Sequence, residues 1–420
     1  MLGNKITLHD LTRQELEGKR VVMRVDYNVP FDKQGKISNN QRIETTLPTI
    51  REIFEKGAKS LVLLSHLGRP DGRPNPKDSL APVAKRLEEL IGQPVLFLND
   101  CIGAEVEAAT ANPPQGSIIL LENVRFHVEE EGSGVGENGE KIKATKEQIA
   151  VFCDQLTKLG DVYINDAFGT AHRAHSSMVG VRLPIRAAGN LVKLELDAFV
   201  PVVEKPNRPL LSILGGAKVS DKIKLISNLL DKVDEMIICG GMAYTFLKVM
   251  EGTKIGKSIF DAKGAEIVKE LIAKAEQKGV KIHLPVDFVC GDAFKADCNI
   301  KIYTKEEGIP DEWQGLDVGP LSTAQFQEVA LRAKTIIWNG PAGVYEWDAF
   351  QAGTRGLLDA VAQAKESGAL AVIGGGDAAT CAMKWGYASK ISHISTGGGA
   401  SLQLLEGGEM PGLVNLSEKQ

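Results

Sequence analysis

LLSILGGAKVSDKIKLISNLL (210–230) reads as a strand, a Gly215–Gly216 turn and a helix whose Ile223, Ile226 and Leu230 mark its buried stripe. Outward from it the same plan recurs. VVMRV (21–25), SLVLLS (60–65), SIILLEN (117–123) and DVYIND (161–166) precede it, and EMIIC (235–239), TIIWNG (335–340) and LAVIGGG (370–376) follow, with amphipathic helical stretches between them. Short β-branched runs alternating with helices imply βαβ units and mainly parallel sheets with helices on both faces, so the class is α/β and doubly wound. Ligands in such sheets sit beyond the carboxyl ends of the strands, where the Gly and polar residues of these runs fall.

At 420 residues the chain exceeds what one core supports, so two domains are expected. The boundary falls near 184–209, where LVKLELDAFVPVVE reads as a linking helix before the Pro-rich KPNRP. The composition, 43% hydrophobic and 25% charged, is that of a soluble globular protein, and the net charge of −5 argues against nucleic acid or anionic membrane as partners. The six cysteines show no CxxC pair and no zinc-type spacing, which suits reduced thiols in a cytoplasmic enzyme. The start MLGNKITLHD reads as neither a signal peptide nor a myristoylation site, and no apolar run reaches membrane-spanning length.

Two stretches invite over-reading. GTKIGKS (252–258) has only three residues between its glycines and follows a helical stretch, against a phosphate loop of the Walker type; no GxGxxG follows the first strand. EEEGSGVGENGEK (129–141) lacks periodicity and is expected to be an exposed loop.

In the second half, Lys218 and Lys222 are four apart and are expected to share a face at the amino end of a helix. They read either as solvated surface lysines or, after a Gly-Gly turn at a strand end, as charge added to an anion site. Asp377 in AVIGGGDAATCAM (371–383) reads either as a helix cap or as the carboxylate a magnesium ion takes beside phosphate oxygens. STGGGASLQLLEG (395–407) supplies a third glycine turn, and three such turns suggest a polyphosphate. In the first half, Asp26, Asn28, Arg42, His66, Arg69, Arg125, His172 and Arg173 lie at or after strand ends. Several converging arginines imply a small, multiply charged anion.

RVDYNVP, SHLGRP, LENVRF, DAFGTAHRAHSSMVG, LGGAKVSDKI, CGGMAYTFL, WNGPAGVYEW, GGGDAATC and STGGGASLQLLEG, in this order from about residue 5 to the carboxyl end, resemble the signature segments of the phosphoglycerate kinase family. The resemblance implies two Rossmann-like domains joined by a hinge helix: residues 1–188 binding 3-phosphoglycerate, residues 189–404 binding the nucleotide, and a tail, 405–420, returning to the first domain. It implies Asp26, Asn28 and Arg42 for the glycerate hydroxyl and carboxylate, and His66, Arg69, Arg125 and Arg173 for the 3-phosphate. It implies Gly216, Lys218, Lys222, Asn339, Gly376, Asp377 and Ala378 around the nucleotide phosphates, Glu346 at the ribose, Gly240, Gly241 and Leu316 at the adenine, and Asp377 as the Mg²⁺ ligand. Arg42, Lys218, Gly375 and Gly398 are implied as catalytic. The expected reaction is in-line phosphoryl transfer between 1,3-bisphosphoglycerate and ADP, giving 3-phosphoglycerate and ATP, by a cytoplasmic monomer with a hinge motion and without a general base, since a carboxylate is already ionised at neutral pH.

Three positions depart from the family pattern: Tyr27 for Phe, read as a packing change; Ala378 for Thr or Ser, which removes a hydroxyl from the phosphates; and Leu194 for Lys in the linking helix. A carboxyl kinase of acetate or carbamate type would not need the arginine pocket. A non-catalytic nucleotide-binding protein on the same fold would be expected to lose Lys218, Arg42 or Asp377, and all three are present.

Overall fold

The structure, a computed structural model, describes residues 1–419 and divides into two compact units. Unit 1 comprises Met1–Asp197 with the segment from Glu409 onward; unit 2 comprises Ala198–Gly408. The division falls inside the helix Asn190–Val203, so the linking stretch is helical, with Leu194 exposed on it.

Unit 1 is built on β1 (Arg20–Arg24), β2 (Ser60–Leu64), β3 (Val95–Leu98), β4 (Ser117–Leu121), a small hairpin of β5 (Ser133–Val135) and β6 (Lys141–Lys143), then β7 (Val162–Asn165) and β8 (Ile185–Ala188). Six of these form one parallel sheet in the order β3-β4-β2-β1-β7-β8. Every residue of β2 is buried, as a strand covered by helices on both faces requires. The register aligns Arg24 with Leu64 and with Asn165, so the segments after β1, β2 and β7 leave the sheet at one end. There Asp166 is buried and accepts from Thr49 Oγ1 (2.6 Å) and from the N–H of Leu191 (2.8 Å), which anchors the first turn of the linking helix.

Unit 2 contains β9 (Leu210–Leu214), β10 (Glu235–Ile238), β11 (Lys281–His283), β12 (Asp287–Gly291), β13 (Ile300–Thr304), β14 (Gln314–Val318), β15 (Thr335–Asn339), β16 (Leu370–Ile373) and β17 (His393–Ile394). Six of them make a second parallel sheet, β11-β10-β9-β15-β16-β17. Leu214 pairs with Ile238 and Asn339, and Trp338 with Ile373, so the glycines after β9, β10, β15 and β16 share one sheet end. The antiparallel sheet β13-β12-β14 was not foreseen.

The expected α/β class with two parallel sheets is what the structure has. Two local expectations need correction. The strand, turn and helix are present and Ile226 and Leu230 are buried as expected, but the helix begins only at Ile223, which is half-buried, and Leu225 and Leu229 complete its buried face. The stretch 129–141 is not an exposed loop: it holds the end of the helix Val128–Glu131, which buries Glu130, and β5 of the hairpin. GTKIGKS follows a helix that Gly252 ends in the left-handed conformation, and Lys257 pairs with Glu312 (2.9 Å).

Candidate functional site

In unit 1 the candidates gather beyond β1, β2 and β4. Asp26 and Arg42 form an ion pair, Arg42 from the short helix Gln41–Glu44. Asn28 Oδ1 accepts from the N–H of Gly68 (2.9 Å), and Arg125 donates to the carbonyl of Gly68 (2.9 Å), so one glycine ties two candidate groups together. Asn28, Gln41 and Arg42 line a depression of about 480 Å³. Arg69 is exposed; Arg173 is half-buried, its Nε 3.3 Å from His172 Nε2.

Sequence reading missed Arg24, the fully buried arginine at the end of β1. Its guanidinium donates to Ser177 Oγ (2.8 Å), to the carbonyl of Val25, and to His66 Nδ1 (3.2 Å). A charged residue inside the apolar run VVMRV was the available signal, since an arginine is almost never fully buried without a task. Burial and the charges of Arg24, Arg125 and Arg42 hold the His66 imidazole well below the usual histidine range. His175 is pushed down to about 3 by burial, Arg125, Arg24 and Arg173. Both imidazoles are therefore neutral at pH 7, first because they are buried and then because the arginines around them already supply positive charge. Arg125 Nε and His175 Nδ1 are buried without a hydrogen-bond partner. Concentrated cation charge with unsatisfied polar atoms is the condition an anion relieves.

In unit 2 a cleft of about 250 Å³ is lined by Gly216, Gly240, Gly241, Leu316, Glu346 and Asp377 from the sequence-derived set, joined by Tyr244, Phe294, Pro341, Val344 and Tyr345. Its floor is backbone packed on backbone. A Cβ on Gly240, which has φ +67°, would lie 2.7 Å from the nitrogen of Gly216, so no side chain fits there. Next to Leu316 in β14, the buried carboxylate of Asp317 accepts from the N–H groups of Val318 (2.8 Å) and Gly353 (2.9 Å), and burial pushes it up to about 7.

Lys222 donates to Asn339 Oδ1 and to the Asn339 carbonyl (3.3 Å), and burial lowers its ammonium to about 8. Lys218 is exposed in the loop after Gly216. The expectation that both lysines share a helix face is thus corrected: both precede the helix, because the Gly-Gly turn runs on through Asp221. Asp377 is the second residue of the helix Gly376–Lys384, and Gly375 occupies the cap position, so the capping alternative for Asp377 falls away. The Asp377 carboxylate instead accepts from Tyr345 Oη (3.3 Å). Gly375 and Gly398 each precede a helix, and a Cβ on Gly375 would sit 3.5 Å from the Gly398 Cα, so two turns far apart in sequence meet. Ala378 is fully buried in the core beside Trp338 and Ile373; its methyl packs there, and only its N–H, in the first turn, is left for a ligand.

Tyr27 is fully buried, and its hydroxyl meets Thr46 Oγ1 at 2.8 Å, so the departure adds a hydrogen bond to the packing. Among the described residues the one trio of metal-ligating types with donor atoms within 4.8 Å is Asp100, Cys101 and His127. There the Asp100 carboxylate is already taken by His127 (2.7 Å) and the Cys101 N–H (2.6 Å).

The family model described as phosphoglycerate kinase matches residues 9–408. A phosphoglycerate kinase of Gallus gallus is 59% identical over 417 residues, covering 99% of each chain. Phosphoglycerate kinase 1 of Homo sapiens is 58% identical with the same coverage. The solved phosphoglycerate kinase from Coxiella burnetii superposes with a TM-score of 0.86 at 37% identity, covering 98% of each chain.

Proposed function

The chain belongs to the phosphoglycerate kinase family, and from that premise we propose how its residues carry the reaction. The activity is that of a phosphotransferase with a carboxyl acceptor, interconverting 1,3-bisphosphoglycerate and ADP with 3-phosphoglycerate and ATP in glycolysis. The observation that carries the acceptor assignment is the buried cation cluster of unit 1. Arg24, Arg125 and two neutral histidines form a site for a distal phosphate, which an acetate or carbamate acceptor lacks. In this reading His66, Arg69, Arg125 and Arg173 take the 3-phosphate, while Asp26, Asn28 and Arg42 orient the glycerate so that its carboxylate is the attacking group.

On the nucleotide side the glycine-floored cleft takes the adenine between Gly240, Gly241 and Leu316, with Glu346 at the rim for the ribose. Lys218, Lys222, Asn339 and the N–H groups after Gly216 and Gly375 hold the phosphates. The oxygen-only, single-carboxylate character of Asp377 fits magnesium, which takes one or two protein carboxylates and completes its shell with phosphate oxygens and water. When bound, the ion neutralises charge on the phosphates. The protein's own part is positioning and charge: Arg42 and Lys218 stabilise the negative equatorial oxygens of the transferring group, with the helix starts after Gly375 and Gly398. Among the described residues no helix is long and apolar enough to cross a membrane; a cytoplasmic monomer is the accompanying proposal.

The test is ATP turnover with Mg²⁺, with and without 3-phosphoglycerate, by coupled detection of the acyl phosphate. Turnover should require 3-phosphoglycerate and fall by roughly 10²-fold in Arg42→Ala. ATP consumption independent of the acceptor would reject the reading. A second result follows from Lys222. Its ammonium loses its proton near pH 8 in the free protein, and a bound phosphate should raise that value again. Nucleotide binding at pH 8.5–9 is therefore expected to take up a proton, seen in calorimetry as a heat that varies with buffer ionisation enthalpy, and Lys222→Met should abolish the variation.

A further inference from the structure

Glu130 lies in the stretch that sequence reading dismissed, yet it is 1% exposed and fully engaged. Its two carboxylate oxygens accept from the backbone N–H of Ser177 (2.8 Å) and from Ser177 Oγ (2.6 Å). Tyr163 Oη donates to the Ser177 carbonyl (2.8 Å), and next to it Ser176 Oγ donates to the carbonyl of Glu129 (2.7 Å), so Ser177 is held by Glu130 and Tyr163 while its neighbour fixes the same stretch. Because the Ser177 hydroxyl gives its proton to Glu130, its lone pair faces Arg24 Nε, which donates at 2.8 Å. That bond aims the guanidinium so that Nη2 points at His66 Nδ1, 3.2 Å away. An arginine has no acceptor, so His66 Nδ1 must be the lone-pair nitrogen, and a neutral His66 then carries its proton on Nε2.

We propose that Glu130 is a positioning residue for substrate binding: through Ser177 and Arg24 it fixes the Nε2–H tautomer of His66 and so keeps a neutral hydrogen-bond donor in the phosphate pocket. The inference rests on the reading of that pocket as the 3-phosphate site. Arginines alone would attract any anion. A donor of fixed identity among them accepts no second proton, so the pocket presents the same hydrogen-bond pattern across neutral pH. Glu130 also supplies negative charge facing Arg24 and Arg125, alongside Glu131, which lies 3.6 Å from Arg125 Nε. A glutamine at 130 keeps the shape but has one acceptor oxygen for two Ser177 donors, so one of the two bonds is lost.

The experiment is ¹⁵N–¹H NMR of histidine-labelled, substrate-free protein, with the His66 signals assigned by their loss in His66→Gln. The wild type should show the Nε2–H tautomer. Glu130→Gln, and independently Ser177→Ala, should convert it to a mixture or to Nδ1–H. In steady-state assays the same two variants should raise the KM for 3-phosphoglycerate on the order of tenfold, with ADP affinity unchanged. Ser177→Ala carries the test if Glu130→Gln fails to fold. An Nδ1–H tautomer in the wild type, or an unmoved tautomer in the variants, overturns the relay. A converted tautomer with an unmoved KM overturns the role of the relay in substrate binding, whereas an unmoved KM for 3-phosphoglycerate in Arg125→Ala would overturn the assignment of the pocket itself.

Discussion

Lys218→Ala should lower kcat by roughly 10²–10³-fold while leaving the KM for the nucleotide within a few-fold, because a single cationic donor to a charged transition state contributes about that much. The structure separates this lysine from its neighbour. Lys222 is tethered to Asn339 and already has its ammonium fixed before any ligand arrives. Lys218 is exposed on the loop that follows Gly216, so its charge is free to follow the phosphoryl group as that group becomes metaphosphate-like. Interactions made only in the transition state appear in kcat, and those made equally in the ground state appear in KM. Steady-state kinetics with saturating 3-phosphoglycerate separates them. A loss smaller than tenfold, or one confined to KM, would remove Lys218 from the catalytic set.

Arg125→Ala is the second large effect: the KM for 3-phosphoglycerate should rise on the order of 10²-fold, and the protein should unfold at a lower temperature. The arginine is 4% exposed and holds the Gly68 carbonyl at 2.9 Å. Removing it takes a fork from the phosphate and a counter-charge from Glu131 at once. Arg125→Lys restores a charge but not the planar pair of donors, so it should recover stability more than affinity. ADP affinity, measured by calorimetry, should be unchanged in both variants. A parallel loss of ADP binding would show that the change is global unfolding instead of damage to one pocket.

The parts legible in the sequence were those where local pattern and burial agree. LLSIL, SLVLL and TIIWN are short, apolar and β-branched because helices cover both faces of their sheets, and all became strands. β13 escaped because it has no buried face: Ile300, Lys301 and Ile302 are all exposed, the two isoleucines by about half, and IKIYT in a polar setting resembles loop. The glycines of the cleft were legible as turns. The reason they must be glycine, the close approach of Gly240 to Gly216, is a long-range contact that no local window contains. Glu130 was misread for the same reason: glutamate beside glycines is normally solvated, and its burial depends on Arg24 and Ser177, more than 40 residues away on either side.

Residues 409–419 return to unit 1, and there the order of synthesis becomes an issue. Lys5 is 6% exposed, and its ammonium donates to the carbonyls of Val414 (2.9 Å) and Leu416 (3.0 Å). Asn165 donates to the carbonyl of Gly412 (3.0 Å). On a translating ribosome the amino-terminal strands emerge first, but the acceptors that satisfy Lys5 and Asn165 are made only after the whole of unit 2. Unit 2 is continuous, whereas unit 1 is complete only once residues 409–419 have been added; until then water stands in for the carbonyls that Lys5 and Asn165 hold in the finished protein. Unit 1 is therefore begun before unit 2 and completed after it.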